Sequence, residues 1–168
     1  DACLVGSEMC IRDRDMGVAS LRNPVNLAVA TWSWGNYYGD AKMKGAKLDV
    51  AKWQRPDPKT APFEAKAAGL YMIATMSKHT AEANGCSDAM MMDYRGYVAE
   101  ATGANIFFVK DGEVHTPTPD AFLNGLTRQT VIEMLTKMGV KVHERHILPG
   151  ELEDFNQCWL TGSAAEIT

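Results

Sequence analysis

Thr60-Ala-Pro-Phe-Glu-Ala-Lys-Ala-Ala-Gly-Leu-Tyr71 sets Lys66 among small apolar neighbours, with Glu64 the only nearby carboxylate. A lysine packed inward in such a run is desolvated, and desolvation lowers the pKa of an amine. A neutral amine is a nucleophile, and its common use is a Schiff base with a carbonyl compound. The alternative is a surface lysine on an ordinary helix, which is where most lysines sit. Downstream, Leu70 to Ala83 has helix-forming composition with Leu70, Ile73, Ala74 and Ser77 on one face, stopping at Asn84-Gly85. Lys66 is thus expected at or just before a helix start. Tyr71 lies five residues on, so both can reach one ligand only if Lys66 precedes the first full turn.

Upstream, Pro56, Pro58 and Pro62 forbid regular structure. Before them, Ala46 to Trp53 alternates as a half-exposed strand does, and Val25 to Thr31 reads as a buried strand. Between the two lies Trp32-Ser-Trp-Gly-Asn-Tyr-Tyr-Gly39, whose Trp34, Tyr37 and Tyr38 among glycines suit either a core edge or the lining of an apolar pocket. The first fourteen residues, Asp1 to Arg14, have no pattern that connects to the rest of the chain and read as a head foreign to the fold. No function is expected of them.

Beyond the helix, short strands alternate with turns. Asp88 to Asp93 carries three methionines as core filling, and Arg95-Gly96 turns the chain. Ile106 to Val109 and Val114 to Thr116 flank Asp111-Gly112, a strong hairpin signal. Thr127 is the expected N-cap of a helix whose Val131, Met134, Leu135 and Met138 recur at helical spacing before Gly139. Its start, Gly125-Leu-Thr-Arg128, turns backbone N–H groups toward a natural phosphate seat, although by itself the segment reads first as an ordinary capped helix. Val140 to Ile147 is strand-like, Pro149 to Phe155 a short acidic helix, and Gln157 to Leu160 a last strand. It opens into Thr161-Gly-Ser-Ala-Ala-Glu166, where N–H groups and Ser163 suit an anion.

Composition narrows the classes. The 168 residues are 46% hydrophobic and carry a net charge of -4 with both signs interspersed, so no basic footprint for nucleic acid is present. No apolar run approaches a membrane span. Cys3, Cys10, Cys86 and Cys158 show no close pairing and read as reduced cytosolic thiols. His79, His115, His143 and His146 have no partner at ligand spacing along the sequence, and no metal is expected. The absence of repeats and linkers argues for one continuous domain.

Four stretches in order, Ala65-Lys66-Ala-Ala-Gly-Leu-Tyr71, Glu100-Ala-Thr-Gly-Ala-Asn105-Ile-Phe107, Gly125-Leu-Thr-Arg128 and Gly162-Ser-Ala-Ala-Glu-Ile-Thr168, closely resemble the fold-type IV pyridoxal-phosphate enzymes. Within them the likeness is to branched-chain-amino-acid aminotransferases, and it runs from about Asn23 to Thr168. It implies an α/β (α+β mixed) large domain, with mixed sheets forming a pseudo-barrel flanked by helices. The resemblance makes Lys66 the lysine that carries pyridoxal 5'-phosphate and then moves the substrate proton. It makes Glu100 the partner of the pyridine nitrogen and Tyr71 that of the phenolic oxygen. Leu126 and Thr127 become the backbone donors to the phosphate, with Ser163 where a threonine is often found. Ala164 would donate to the substrate carboxylate, and Tyr37 with Trp34 would line the substrate pocket. The implied reaction moves the amino group of leucine, isoleucine or valine to 2-oxoglutarate, in a cytoplasmic homo-oligomer.

Two departures bear on this. The family's small N-terminal domain, with an arginine that clamps the phosphate, has no counterpart, and members run on where this chain stops at Thr168. The expectation is a large domain over 15–168, truncated at both ends. A D-amino-acid aminotransferase, an aminodeoxychorismate lyase, or a non-catalytic remnant that binds the cofactor are the alternatives.

Overall fold

A computed structural model describes Pro24, Leu27 to Ser33, Gly35 and residues 37–168. The chain divides into two compact units, Asp1–Gly35 and Asn36–Thr168. In the first, the strand expected over Val25 to Thr31 is not found among the described residues: Leu27 to Thr31 is irregular, with Leu27 and Val29 exposed. A short apolar run becomes a strand by pairing and being covered, and composition alone supplies neither. Among the described residues no helix is long and apolar enough to cross a membrane.

The second unit holds two sheets. After a short helix, α1 (Ala41–Lys44), comes β1 (Leu48–Val50), which is shorter than the alternation suggests. The proline run leads on to α2 (Ala68–Ala83), which ends as expected at Asn84 with Gly85 at φ +73°. It buries Ala74, Ser77 and Ala81, small side chains that let it lie close to β2 (Asp88–Met92). Strand β2 pairs in parallel with β1 and antiparallel with β3 (Val98–Ala101). Met90 and Met91 are buried, as core methionines should be.

A tight corner, Thr102 to Ala104, carries the chain from this sheet into the second. There β4 (Asn105–Lys110) and β5 (Glu113–Pro117) form the expected hairpin, with Asp111 and Gly112 both at positive φ (53° and 78°) as a two-residue turn of the primed kind requires. Helix α3 (Leu126–Lys137), β6 (Val142–Arg145), a 3-10 helix (Pro149–Asp154), β7 (Gln157–Gly162) and β8 (Glu166–Ile167) complete the unit. The sheet order is β6-β5-β4-β7-β8, with β5 and β6 parallel and the other pairs antiparallel.

Strand β4 is covered on both faces. Ile106 and Phe108 point into a core shared with Met90 and Val98 of the first sheet, while Phe107 joins Val114 and Val131 beneath α3. Alternate side chains on one strand therefore tie the two sheets and the helix together.

Helix α3 differs from its expected form in two respects. Its N-cap is Gly125, not Thr127, because the first helical bond runs from Gln129 N to Gly125 O at 3.1 Å. Its inward stripe is Arg128, Val131, Ile132 and Leu135, whereas Met134 (57%) and Met138 (73%) are exposed. The stripe begins on a charged residue, so an apolar count misplaces the face by one row. Arg128 is buried because its ends are satisfied: Nη1 donates to Asn124 Oδ1 (2.9 Å), and Nη2 to Pro117 O (2.9 Å) and Glu144 Oε2 (2.7 Å).

The histidines also depart from their linear spacing. The parallel register sets His115 of β5 against His143 of β6, their rings stacked with centroids 4.6 Å apart. The whole of α3 intervenes in the sequence and hides that pairing.

Candidate active site

The corner between the sheets fixes the centre of the site. Glu100, in β3 just before the corner, is only 7% exposed, and its Oε1 lies 3.2 Å from Nε of the equally buried Arg55. On the far side of the corner Asn105, the first residue of β4, donates from Nδ2 to Glu100 Oε2 at 3.1 Å and to Leu123 O at 3.0 Å. Its Oδ1 accepts from Gly125 N at 3.1 Å. One amide side chain thus links the buried carboxylate to the start of α3. Burial pushes the Glu100 carboxyl up to about 8 and outweighs the opposing charge of Arg55.

Tyr71 stands in the first turn of α2, 37% exposed, and its hydroxyl is shifted upward by burial and then by the negative charge of Glu100, with Arg55 opposing. Those two charges act on Tyr71 because all three groups share one neighbourhood. Tyr37 is shifted upward by burial, by Asp88, by Glu82 and by Tyr71, so its hydroxyl lies in the same region. A side chain at Gly103 in the corner would lie 3.5 Å from the Tyr37 hydroxyl, and one at Gly162 would lie 3.4 Å from Gly103 O. The end of β7 therefore approaches the corner closely, with Ser163 and Ala164 in the turn just beyond it.

Beneath this, Asp88 anchors the floor. Its carboxylate accepts from Tyr38 OH (2.7 Å), Thr102 Oγ1 (2.5 Å) and Ala89 N (2.7 Å). The Tyr38 ring meets Tyr37 edge-on at 4.9 Å, and the Lys78 ammonium sits over both rings.

Lys66 lies just before Ala67, the N-cap of α2, so it precedes the first turn as the spacing with Tyr71 requires. Its side chain is exposed, which corrects the desolvation argument: Ala65, Ala67 and Ala68 are themselves exposed and cover nothing. Leu126 and Thr127 open α3, where the N–H groups of Leu126, Thr127 and Arg128 precede the helical hydrogen-bond ladder. The Leu126 side chain is exposed, which leaves its backbone as the useful group. Ser163 is exposed and Ala164 half-buried. Trp34 lies outside the described residues.

Sequence reading missed Arg55. It comes after a strand-like run and precedes a proline, and nothing local marks it as buried. Its backbone gives the explanation, since Arg55 N donates to Met92 O at 2.8 Å and the residue bridges to Asp93 at the end of β2. Asn105 stood inside a noted motif, but its linking role depends on Gly125, 20 residues away.

The donor set suits pyridoxal phosphate. A buried carboxyl suits the ring nitrogen, a neighbouring phenol the ring hydroxyl, ladder-free amides at the start of α3 the phosphate, and a primary amine the aldehyde. A largely apolar cavity of about 330 Å³ beside Leu48, Ile106, Phe108 and Phe155 contains none of these residues.

Comparison with known proteins gives the family. The family described as Amino-transferase class IV matches residues 11–168, and the chain belongs to that family. A probable branched-chain-amino-acid aminotransferase of Rickettsia conorii is 45% identical over 124 residues, covering 74% of this chain and 43% of the relative. The crystal structure of the Escherichia coli branched-chain amino acid aminotransferase aligns with a TM-score of 0.85 at 32% identity, over 93% of this chain and 52% of that one. An aminotransferase from Brucella abortus, crystallised bound to the cofactor PLP, gives 0.71 at 36% identity, over 74% and 45%. The chain has the mixed α/β fold of these structures, and it spans about half the length of the relatives it matches.

Proposed function

We propose that this chain is the cofactor-binding portion of an aminotransferase that moves the amino group of branched-chain L-amino acids to 2-oxoglutarate with pyridoxal 5'-phosphate. The observation that carries the reading is the buried network Arg55–Glu100–Asn105–Gly125, with Tyr71 in its field, in a chain 32–45% identical to branched-chain aminotransferases.

Pyridoxal phosphate, when bound, supplies an electrophilic aldehyde and a conjugated ring that accepts the electron pair left by removal of an α-proton. Glu100, held between Arg55 and the Asn105 amide, would pair with the aromatic nitrogen and share a proton with it. Tyr71 donates its hydroxyl hydrogen to a phenolic oxygen. The amides of Leu126 and Thr127, with the Ser163 hydroxyl, bind phosphate, and the Ala164 amide binds the substrate carboxylate. Lys66 Nζ is the nucleophile and then the base for the substrate α-proton. Its exposure in the chain alone leaves its desolvation to bound cofactor and substrate. Tyr37 gives the substrate side chain an apolar wall. The assignment as a cytoplasmic homo-oligomer rests on the family resemblance.

Titration with pyridoxal phosphate tests the reading. A cofactor absorbance band at longer wavelength than that of the free aldehyde is expected with this chain and is lost in Lys66→Ala. L-Leucine should convert that band faster than D-alanine does. An identical spectrum from the two proteins would remove Lys66 from its role, and faster conversion by D-alanine would overturn the substrate class.

A further inference from the structure

Outside this site, the far edge of the second sheet gathers groups that the transamination chemistry does not use. Glu113 and His115 alternate on one face of β5, and the parallel register places His143 of the edge strand β6 directly beside His115. His143 Nε2 lies 2.5 Å from Glu113 Oε2, and one ligand atom from each of the three side chains falls within 4.8 Å of the other two. All three are half-buried.

From this cluster we infer that Glu113, His115 and His143 bind a divalent transition-metal ion, zinc being the reference case.

The chemistry of the donors selects the metal. Two imidazoles and one carboxylate are the ligands of borderline ions such as Zn²⁺, Ni²⁺ and Cu²⁺, whereas Mg²⁺ and Ca²⁺ prefer oxygen throughout. A tetrahedral zinc ion sets its ligand atoms roughly 3.4 Å apart. The observed spread is wider, so binding would require the two rings to rotate out of their stack. His115 also packs against Phe155, with ring centroids 5.5 Å apart.

Two basic groups oppose the ion and set its limit. Lys141 Nζ contacts Glu113 at 3.1 Å, and Arg145 Nε donates to His115 Nδ1 at 3.2 Å. Arg145 can release His115, because its Nη2 keeps Glu151 at 2.8 Å and its Nη1 keeps His146 O at 3.0 Å. Both basic groups compete with the ion, so the site is a modest one. Its occupation clasps the edge strand β6 to β5 and stabilises the sheet by linkage.

Calorimetric titration of the chelator-stripped chain with zinc chloride is the test, with cobalt chloride as a spectroscopic probe. The expected result is one zinc per chain and cobalt d–d bands of tetrahedral strength. Affinity should fall roughly tenfold or more in His143→Gln and in His115→Gln, as for loss of a metal-site group. It should hold in His146→Gln and rise severalfold in Lys141→Gln, which removes a competing cation from an exposed position. Circular dichroism of each variant separates loss of ligand from loss of fold. Absence of binding by the parent chain, or binding that survives in the folded His115→Gln/His143→Gln double variant, would overturn the site.

Discussion

Glu100 shows how one residue can carry opposite demands. Its carboxyl is removed from water by the corner between the sheets, yet a guanidinium lies 3.2 Å away. Burial wins, and the group titrates near 8 instead of in the usual carboxylate range. Because the folded pKa exceeds the unfolded one, the folded chain binds this proton more tightly. The contribution to stability is complete below the ordinary glutamate range and is lost as pH rises through about 8. In cofactor-free protein the melting temperature should fall from pH 5 to pH 9, and Glu100→Gln, which cannot ionise, should flatten that fall. Parallel melting curves for the two proteins across this range would remove burial of Glu100 as the cause. The composition around Glu100 gives no hint of this, since its neighbours in sequence are small and its partners Arg55 and Asn105 meet it only in the fold.

At the scale of elements, the start of α3 is set by contact as much as by helix propensity. Gly125 caps the helix at φ -60° and ψ 143°, a conformation open to any residue, so a left-handed backbone is not why glycine is there. The reason is space: a Cβ at this position would overlap Asn105 Oδ1. Gly125→Ala must push Asn105 away from Glu100 or shift the helix start. A loss of about 1–3 kcal/mol is expected from such overpacking, read as a lower denaturation midpoint, together with weaker retention of pyridoxal phosphate. The pair Gly125→Ala/Asn105→Ala, which removes the obstructing oxygen, should recover stability relative to the sum of the single changes. Simple additivity would show that the clash is not the cause. The same helix shows where pattern reading stops. Val131 and Leu135 were legible as inward residues, but Arg128 anchors their row, and a buried arginine can be recognised only once Asn124, Pro117 and Glu144 are seen around it.

Across the whole molecule, β4 is the element that both layers share. Phe107 is fully buried and stacks on Trp159 with ring centroids 5.3 Å apart, while its neighbours Ile106 and Phe108 face the opposite core. Phe107→Ala should cost about 3–5 kcal/mol. Since one strand serves both cores, the second unit should still unfold in a single transition. Tryptophan fluorescence and far-ultraviolet circular dichroism, followed in urea, should give coincident curves with the midpoint lowered and the slope kept. Separate midpoints would mean that the two cores are independent.

Sequence alone determined the local grammar of this protein. The stop of α2 at Asn84-Gly85, the hairpin at Asp111-Gly112, the buried methionines of β2 and the position of Lys66 ahead of a helix all derive from backbone preferences and periodicity over a few residues. The four motifs that resemble class IV aminotransferases were likewise legible. Tertiary structure alone decided the rest. It buried Arg55 against Glu100, joined Asn105 to Gly125, left Lys66 exposed where its neighbours suggested desolvation, and set His115 beside His143. Each of these depends on burial or on strand register between residues distant in sequence, and both are properties of the packed chain that no local run of residues specifies.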